Sequence, residues 1–103
     1  MKIKWNSSAK ADMRQVARYV NKRFGRKARQ EFMQRVKDVE KRIATQPNIG
    51  SIDPLYADRP LTYRSVIING LNKMVYRVDS DIIYIVDFWD TRREPVGQAA
   101  QTD

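Results

Sequence analysis

Cationic side chains recur where they could contact one phosphate group. Arg64, Lys73 and Arg77 lie in segments with the two-residue periodicity of β-strands, and Arg92 and Arg93 follow the last segment. Guanidinium groups match phosphate oxygens with a planar fork of donors, and cations stabilise the charge that develops on a reacting phosphorus. These residues therefore suit phosphate binding or metal-free RNA cleavage. Alternatively, the last two arginines only fix the strand end by pairing with Asp87, Asp90 or Glu94.

The composition argues against most other catalytic chemistries. The chain has no histidine and no cysteine, so it lacks the commonest general base, the commonest metal ligand and any thiolate site. It has no glycine-rich phosphate loop, and its carboxylates are too scattered for a two-metal nuclease. We therefore expect neither a metal nor a cofactor. Only a strongly perturbed Lys or Tyr could transfer a proton, and Lys73 is the best candidate.

The positive charge is concentrated in the first half of the chain. The formal net charge is +8, and residues 8–46 hold twelve Lys or Arg against four Asp or Glu. Such a field attracts nucleic acid, an anionic membrane or an acidic protein, although a merely solvated helix surface would have the same composition. Within this segment a basic stripe repeats every four residues. It consists of Lys10, Arg14, Arg18 and Lys22.

Two amphipathic helices are predicted to position the basic stripe. Apolar residues recur at three- and four-residue spacing over residues 9–24 and 28–43, with Gly25 between the two stretches. Ser7 or Ser8 is expected to cap the first helix. Because the connection is so short, the two helices must be antiparallel.

The remaining elements are predicted to be strands. Lys2–Trp5 alternates, and from Leu61 onward the hydrophobic period changes from 3.6 to two. The expected order is β-α-α-β-β-β, an α+β fold with the helical hairpin on one face of a twisted antiparallel sheet. We expect a single domain over residues 1–103, with a C-terminal tail from about residue 96. The later strands are predicted at residues 61–68, 73–78 and 82–89.

The predicted turns decide which side chains share a sheet face. We expect a loop of two or four residues at Asn69-Gly70 and a three-residue loop at residues 79–81. With these lengths, strand alternation assigns one set of side chains to the face that packs on the helices. That set is Tyr63, Ser65, Ile67, Met74, Tyr76, Val78, Ile82, Tyr84, Val86 and Phe88. An aromatic beside clustered cations is typical of nucleic-acid surfaces, although a solvated outer face is the alternative. The open face would hold Arg64, Val66, Ile68, Lys73, Val75, Arg77, Ile83, Ile85, Asp87 and Trp89.

Short motifs follow one another along nearly the whole chain: Trp5-Asn6, Ala9-x-x-Asp12-Met13, Tyr19, Phe24-Gly25, Ala28, Phe32, Pro47-x-x-Gly50, Tyr63-Arg64, Met74 to Val78, Ile82 to Val86 and Arg92-Arg93-x-Pro95. Their order and spacing resemble those of the RelE/ParE toxin superfamily. The resemblance implies a partner antitoxin that wraps and neutralises the toxin. It also implies one of two activities: RelE-like members cut messenger RNA in the ribosomal A site without metal, and ParE-like members block DNA gyrase.

Transferring RelE-like positions to this chain gives a partial match. The resemblance assigns catalytic roles to Arg64, Lys73 and Arg92. In the same interpretation Arg77, Trp89 and Arg93 bind RNA. The family pattern is broken where Val66 replaces an expected lysine and Gln98 falls near an expected tyrosine, and the His-Tyr ending of related nucleases is absent. These departures preserve phosphate binding and weaken the argument for proton transfer.

The sequence therefore predicts a cytoplasmic toxin that cleaves ribosome-bound messenger RNA. The alternatives are a non-enzymatic inhibitor of gyrase and a decayed toxin that retains only antitoxin binding. The antitoxin is expected to offer an acidic segment that folds on the basic stripe. No contact with a membrane is expected, because no run approaches the roughly 18 apolar residues that are needed to span a bilayer.

Overall fold

Two antiparallel helices pack on one face of a five-stranded sheet in the computed structural model, which describes residues 1–91. The predicted α+β fold is confirmed, with one additional two-residue strand. The predicted tail and the positions Arg92, Arg93 and Gln98 lie outside the described residues. The elements are β1 (Lys2–Trp5), α1 (Ser7–Phe24), α2 (Arg26–Thr45), β2 (Ser51–Ile52), a 3-10 turn (Pro54–Tyr56), β3 (Arg64–Ile67), β4 (Asn72–Asp79) and β5 (Ile82–Asp90). The order of the strands across the sheet is β1-β5-β4-β3-β2.

The sheet is mixed rather than antiparallel throughout. β1 pairs with β5 in parallel, with Lys2 opposite Ile82 and Trp5 opposite Ile85, whereas the other pairs are antiparallel. Parallel neighbours require a long connection between them. The helical hairpin and the three strands after it provide that connection, so the first strand can lie beside the last.

Asn6 caps α1, one residue before Ser7 and two before Ser8, the two predicted caps. Its Oδ1 accepts a hydrogen bond from the Ala9 N–H at 2.8 Å, and its backbone is extended (φ −73°, ψ 159°). Its Nδ2 also donates to the Val86 carbonyl at 3.0 Å, and its N–H donates to Ile85 O at 2.9 Å. The prediction of Ser7 or Ser8 was wrong because Asn6 both ends the β1 pairing and starts the helix. It thereby ties the helix start to β5.

The main core lies between the helices and the sheet. Gly25 connects α1 to α2 with a φ of 97°, which glycine adopts without strain. Phe24, predicted to lie on the apolar stripe, is 66% exposed because α1 ends there. The helices contribute Ala9, Met13, Ala17, Phe32, Val36, Val39 and Ile43 to this core, and the sheet contributes Ile68, Met74, Tyr76, Ile83, Ile85 and Phe88.

The loop of each hairpin differs by one residue from its predicted length. Each difference moves the side chains of one strand to the opposite face of the sheet. Ile67 pairs with Lys73, and the Ile68 N–H donates to Asn72 O at 2.8 Å, so the first loop has an odd number of residues. Asp79 pairs with Ile82 across a two-residue turn in which Ser80 has a φ of 57°. A shift of one residue moves every side chain of a strand to the opposite face.

A β-bulge then restores the predicted orientation at the end of β5. Val75 lies opposite Asp87 whereas Tyr76 lies opposite Ile85, so Val86 is the extra residue. Three predicted inward residues, Tyr63, Tyr84 and Val86, therefore pack on the outer face. Ser65 and Ile67 share that face by register. Conversely, predicted outward residues pack with the helices. They are Val66, Ile68, Ile83 and Ile85, and Arg64 joins them by register.

Replacing Asn6 with alanine should lower the free energy of unfolding by about 1–2 kcal/mol, because a helix cap and a hydrogen bond to β5 are both lost. Urea denaturation at neutral pH measures this. Ser7→Ala and Ser8→Ala are matched controls with expected losses below about 0.5 kcal/mol. A Ser8→Ala loss equal to that of Asn6→Ala would show that the helix is capped as the sequence suggested.

Candidate functional site

The outer sheet face, predicted to be open, is covered by the segment between β2 and β3. Tyr56 lies on this face with Val75, Val86 and Trp89, and together they form a second buried cluster. The Tyr56 ring stacks on Tyr63 with centroids 4.9 Å apart and on Trp89 at 6.2 Å. Trp89 is only 8% exposed. A nucleic-acid base therefore cannot stack on Trp89 unless this segment moves.

A buried ion pair holds the covering segment to the sheet. Lys73 Nζ lies 2.7 Å from Asp53 Oδ2, and the two side chains are 8% and 1% exposed. Asp53 Oδ1 accepts a hydrogen bond from the Leu55 N–H at 2.9 Å and so caps the 3-10 turn. The Lys73 ammonium also lies 5.3 Å from the centroid of the Trp89 ring. Lys73 is thus on the predicted face, but it is a buried partner of Asp53 rather than an open cation.

A second polar contact anchors the same segment. The Tyr56 hydroxyl donates to Asp87 Oδ2 at 2.8 Å, and Asp87 Oδ1 accepts from the Phe88 N–H at 3.1 Å. Asp87 is buried. Partial burial of Asp12 on α1 raises the pKa of that carboxyl group, and the negative charge of Asp87 raises it further. Sequence reasoning missed Asp53 and Tyr56 entirely. The only local signal was Asp53 before Pro54, a pair typical of a helix start.

Arg64 lies on the helix side of the sheet, where its guanidinium supports a turn. Its Nη1 donates to Gly50 O at 2.9 Å. The Tyr76 hydroxyl accepts from the Gly50 N–H at 3.0 Å and donates to Pro47 O at 2.6 Å. A Cβ at Gly50 would lie 2.8 Å from that hydroxyl, so only glycine fits. Burial raises the pKa of Tyr76, and the Gly50 N–H and the Arg64 charge partly oppose this.

Arg77 is the outer-face cation that keeps partial exposure. Its guanidinium carbon lies 4.5 Å from the Tyr84 ring centroid, and its Nη1 lies 3.5 Å from Asp79 Oδ2. Arg64 and Arg77 leave opposite faces of the sheet, yet both line a pocket of about 330 Å³ where β3 begins. The structure therefore brings together two of the three predicted sheet cations and keeps Lys73 apart. The other lining residues are Asn48, Leu61, Thr62, Tyr76 and Val78.

The predicted basic stripe is exposed along α1. Lys10, Arg14, Arg18 and Lys22 are all on the solvent side of the helix. Two aromatic side chains of the same helix are exposed as well: Tyr19 by 60% and Phe24 by 66%.

No group of acidic side chains within residues 1–91 is arranged to hold a metal ion. Neither helix in that range combines the length and apolar character that crossing a bilayer requires.

Comparison with known proteins identifies the class of protein. The family model described as "ParE toxin of type II toxin-antitoxin system, parDE" matches residues 3–95. The chain belongs to this family of ParE toxins, which confirms the superfamily resemblance. A solved structure described as "Chromosomal ParDE TA system from P. aeruginosa" has the same fold, with a TM-score of 0.69 and 20% identity over 87% of this chain and 95% of that one. The comparison with curated proteins gives no match.

Replacing Lys73 with methionine should lower the free energy of unfolding by about 3–5 kcal/mol, because Asp53 would be left buried without its counter-charge. Lys73→Met/Asp53→Asn should recover much of this loss, because Asn keeps the acceptor for Leu55 and carries no charge. Chemical denaturation measures both variants, and exposed Lys37→Met is the control. A single variant as stable as the wild type would show that the ion pair contributes nothing.

Proposed function

We propose that this chain is a non-enzymatic toxin that stops growth by binding a protein target, with DNA gyrase as the expected target. The burial of Lys73 against Asp53 is the observation that carries this proposal. Membership of the ParE family supports it, because ParE-like members of the superfamily are the gyrase-directed ones. Cleavage of messenger RNA, the activity that the sequence favoured, is the alternative outcome of the test.

RNA cleavage would require Arg64, Lys73 and Arg92 to reach one phosphate. Arg64 and Lys73 leave opposite faces of the sheet, and Lys73 is only 8% exposed. Freeing Lys73 would break the 2.7 Å ion pair and uncover the cluster around Tyr56. Arg92 lies outside the described residues. The geometry of the described residues thus weighs against a shared phosphate site.

The exposed face of α1 is the surface that best suits a protein target. Large aromatic residues are enriched at the centres of protein interfaces, where they bury much area with little loss of conformational entropy. Tyr19 and Phe24 are exposed by 60% and 66% and lie among cations. We assign target binding to the exposed surface at the C-terminal end of α1, with the two aromatic side chains as anchors on different sides of the helix.

Expression of the chain alone should stop growth and inhibit supercoiling by purified gyrase, without ribosome-dependent cleavage of messenger RNA in translating extracts. Tyr19→Ser/Phe24→Ser should weaken the inhibition of gyrase at least tenfold, about 1.4 kcal/mol of binding free energy. The matched control is Ile52→Ser/Ile67→Ser, which removes two apolar side chains of 61% and 52% exposure from the far edge of the sheet. The control should inhibit gyrase as the wild type does.

Cleavage that requires ribosomes, and that falls at least tenfold in both Arg64→Ala and Lys73→Ala, would establish the nuclease instead. Circular dichroism must show that both variants fold, since Lys73 is part of a buried pair. Normal growth with neither activity would contradict both mechanisms and leave antitoxin binding as the remaining function.

We propose further that an acidic segment of the cognate antitoxin folds on the basic stripe of Lys10, Arg14, Arg18 and Lys22. All four side chains are exposed on one helix, and opposite charge speeds the encounter of such partners. The affinity of the chain for its cognate antitoxin should fall at least tenfold between 50 and 300 mM salt, on the order of 1.4 kcal/mol.

Arg14→Glu/Arg18→Glu should reduce antitoxin affinity at least tenfold and flatten the salt dependence, as measured by titration calorimetry. The control Lys37→Glu/Lys41→Glu makes the same charge change on α2 and should have a smaller effect. Complex formation that is insensitive to salt would refute the electrostatic part of this proposal.

A further inference from the structure

A second cationic surface lies at the tip of the helical hairpin, beyond the basic stripe. We call it the cationic cap: Arg23 in the last turn of α1, and Arg26, Lys27 and Arg29 in the first turns of α2. All four side chains are exposed. Because Gly25 alone separates the two helices, the four charges are held at one end of the molecule.

No acidic side chain of the described residues is paired with the cationic cap. The stretch from Met13 to Gln30 contains no Asp or Glu. Within residues 1–91 none of the four cap side chains belongs to an ion pair, in contrast to Lys73 with Asp53 and Arg77 with Asp79. The field of the cap is therefore directed outward, where it is available to a polyanion.

Three of the four cap charges, those of Arg26, Lys27 and Arg29, also oppose the stability of α2, which carries them. α2 has no acidic residue in its first turn, and its N-cap residue, Gly25, has no side chain that could accept a hydrogen bond from the helix start. Cations at this position face the positive end of the aligned peptide dipoles, where Asp or Glu would be favourable. Residues that break a local rule without compensation are expected at functional sites. The arrangement is thus better explained by binding than by folding.

We infer that the cationic cap binds the phosphate backbone of duplex DNA without sequence preference. Three of the four cations are arginines, whose guanidinium groups match phosphate oxygens, and a surface of one sign suits a uniformly charged backbone better than a protein surface of mixed charge. Single strands are usually held by stacking on neighbouring aromatic side chains. Tyr19 and Phe24 lie about 140° apart around α1, at about 100° per residue, and form no such platform. This inference does not depend on the toxin's protein target.

The test measures binding of the full-length chain to a labelled 20-base-pair duplex by fluorescence anisotropy between 50 and 300 mM NaCl. With about four phosphates neutralised, the plot of log affinity against log salt should have a slope of about −3.6. A duplex of shuffled sequence should bind equally well. Arg26→Glu/Lys27→Glu should weaken binding at least tenfold and reduce the magnitude of the slope by about two.

Two comparisons distinguish an effect of the cationic cap on DNA binding from effects of net charge and of misfolding. Lys37→Glu/Lys41→Glu changes the net charge equally, on exposed positions of α2 that neighbour Asp38 and Glu40, and should weaken binding less than threefold. Arg26→Glu/Lys27→Glu should melt a few degrees higher than the wild type, because acidic residues favour the start of a helix. The neutral variant Arg26→Gln/Lys27→Gln should bind with intermediate affinity.

Several results would overturn the inference. These are no binding to the duplex at 50 mM salt, equal losses in the cap and control variants, and tighter binding to a single strand of the same length. Cap-dependent binding to vesicles containing anionic phospholipid, without binding to the duplex, would replace DNA by a membrane surface. Cap-dependent binding to an acidic peptide alone would likewise replace DNA by a protein.

Discussion

The ion pair between Lys73 and Asp53 determines which surfaces of this protein are available. It joins the middle of the sheet to the segment between β2 and β3, and both side chains are almost completely buried. A buried charge is tolerated only when its partner stays in place. The segment therefore remains on the outer face, where Tyr56 and Trp89 form a second core. Because of this ion pair, the sheet face that the sequence predicted to be open for RNA is covered and forms part of the interior.

The two sides of the sheet are linked at β5. Asn6 joins the start of α1 to the backbone of β5 at Ile85 and Val86, and on the outer side Tyr56 is bound to Asp87. The bulge at Val86 lets consecutive residues serve both layers, because Val86 and Asp87 oppose a single residue of β4. A change in this short stretch of β5 would disturb the helix cap and the covering segment together.

The sequence was sufficient to predict the helices and strands, but it was insufficient to predict which face of the sheet each strand residue occupies. Periodicity identified both helices and the strands β1, β3, β4 and β5, because burial of one helix face or one strand face leaves a direct trace in the sequence. The face on which a strand residue lies depends on the length of the turn before or after the strand. An error of one residue in each hairpin therefore placed Arg64 and Tyr84 on the wrong faces of the sheet. Asp87 and Trp89 were placed correctly only because the bulge cancelled the error at the second turn. The covering segment has no periodicity, so its burial of Trp89 had no signal in the sequence.

The cations of the sheet and of the helices are used differently. On the sheet, Lys73 is paired with Asp53, Arg64 supports Gly50, and Arg77 stacks on Tyr84. On the helical hairpin the cations are exposed and follow one another with few acidic neighbours. Charges that are paired inside a fold contribute to its conformation, whereas exposed charges of one sign act on partners at a distance of about 8 Å in physiological salt. Recognition by this toxin is therefore expected on the helices, and the sheet serves chiefly to hold them in place.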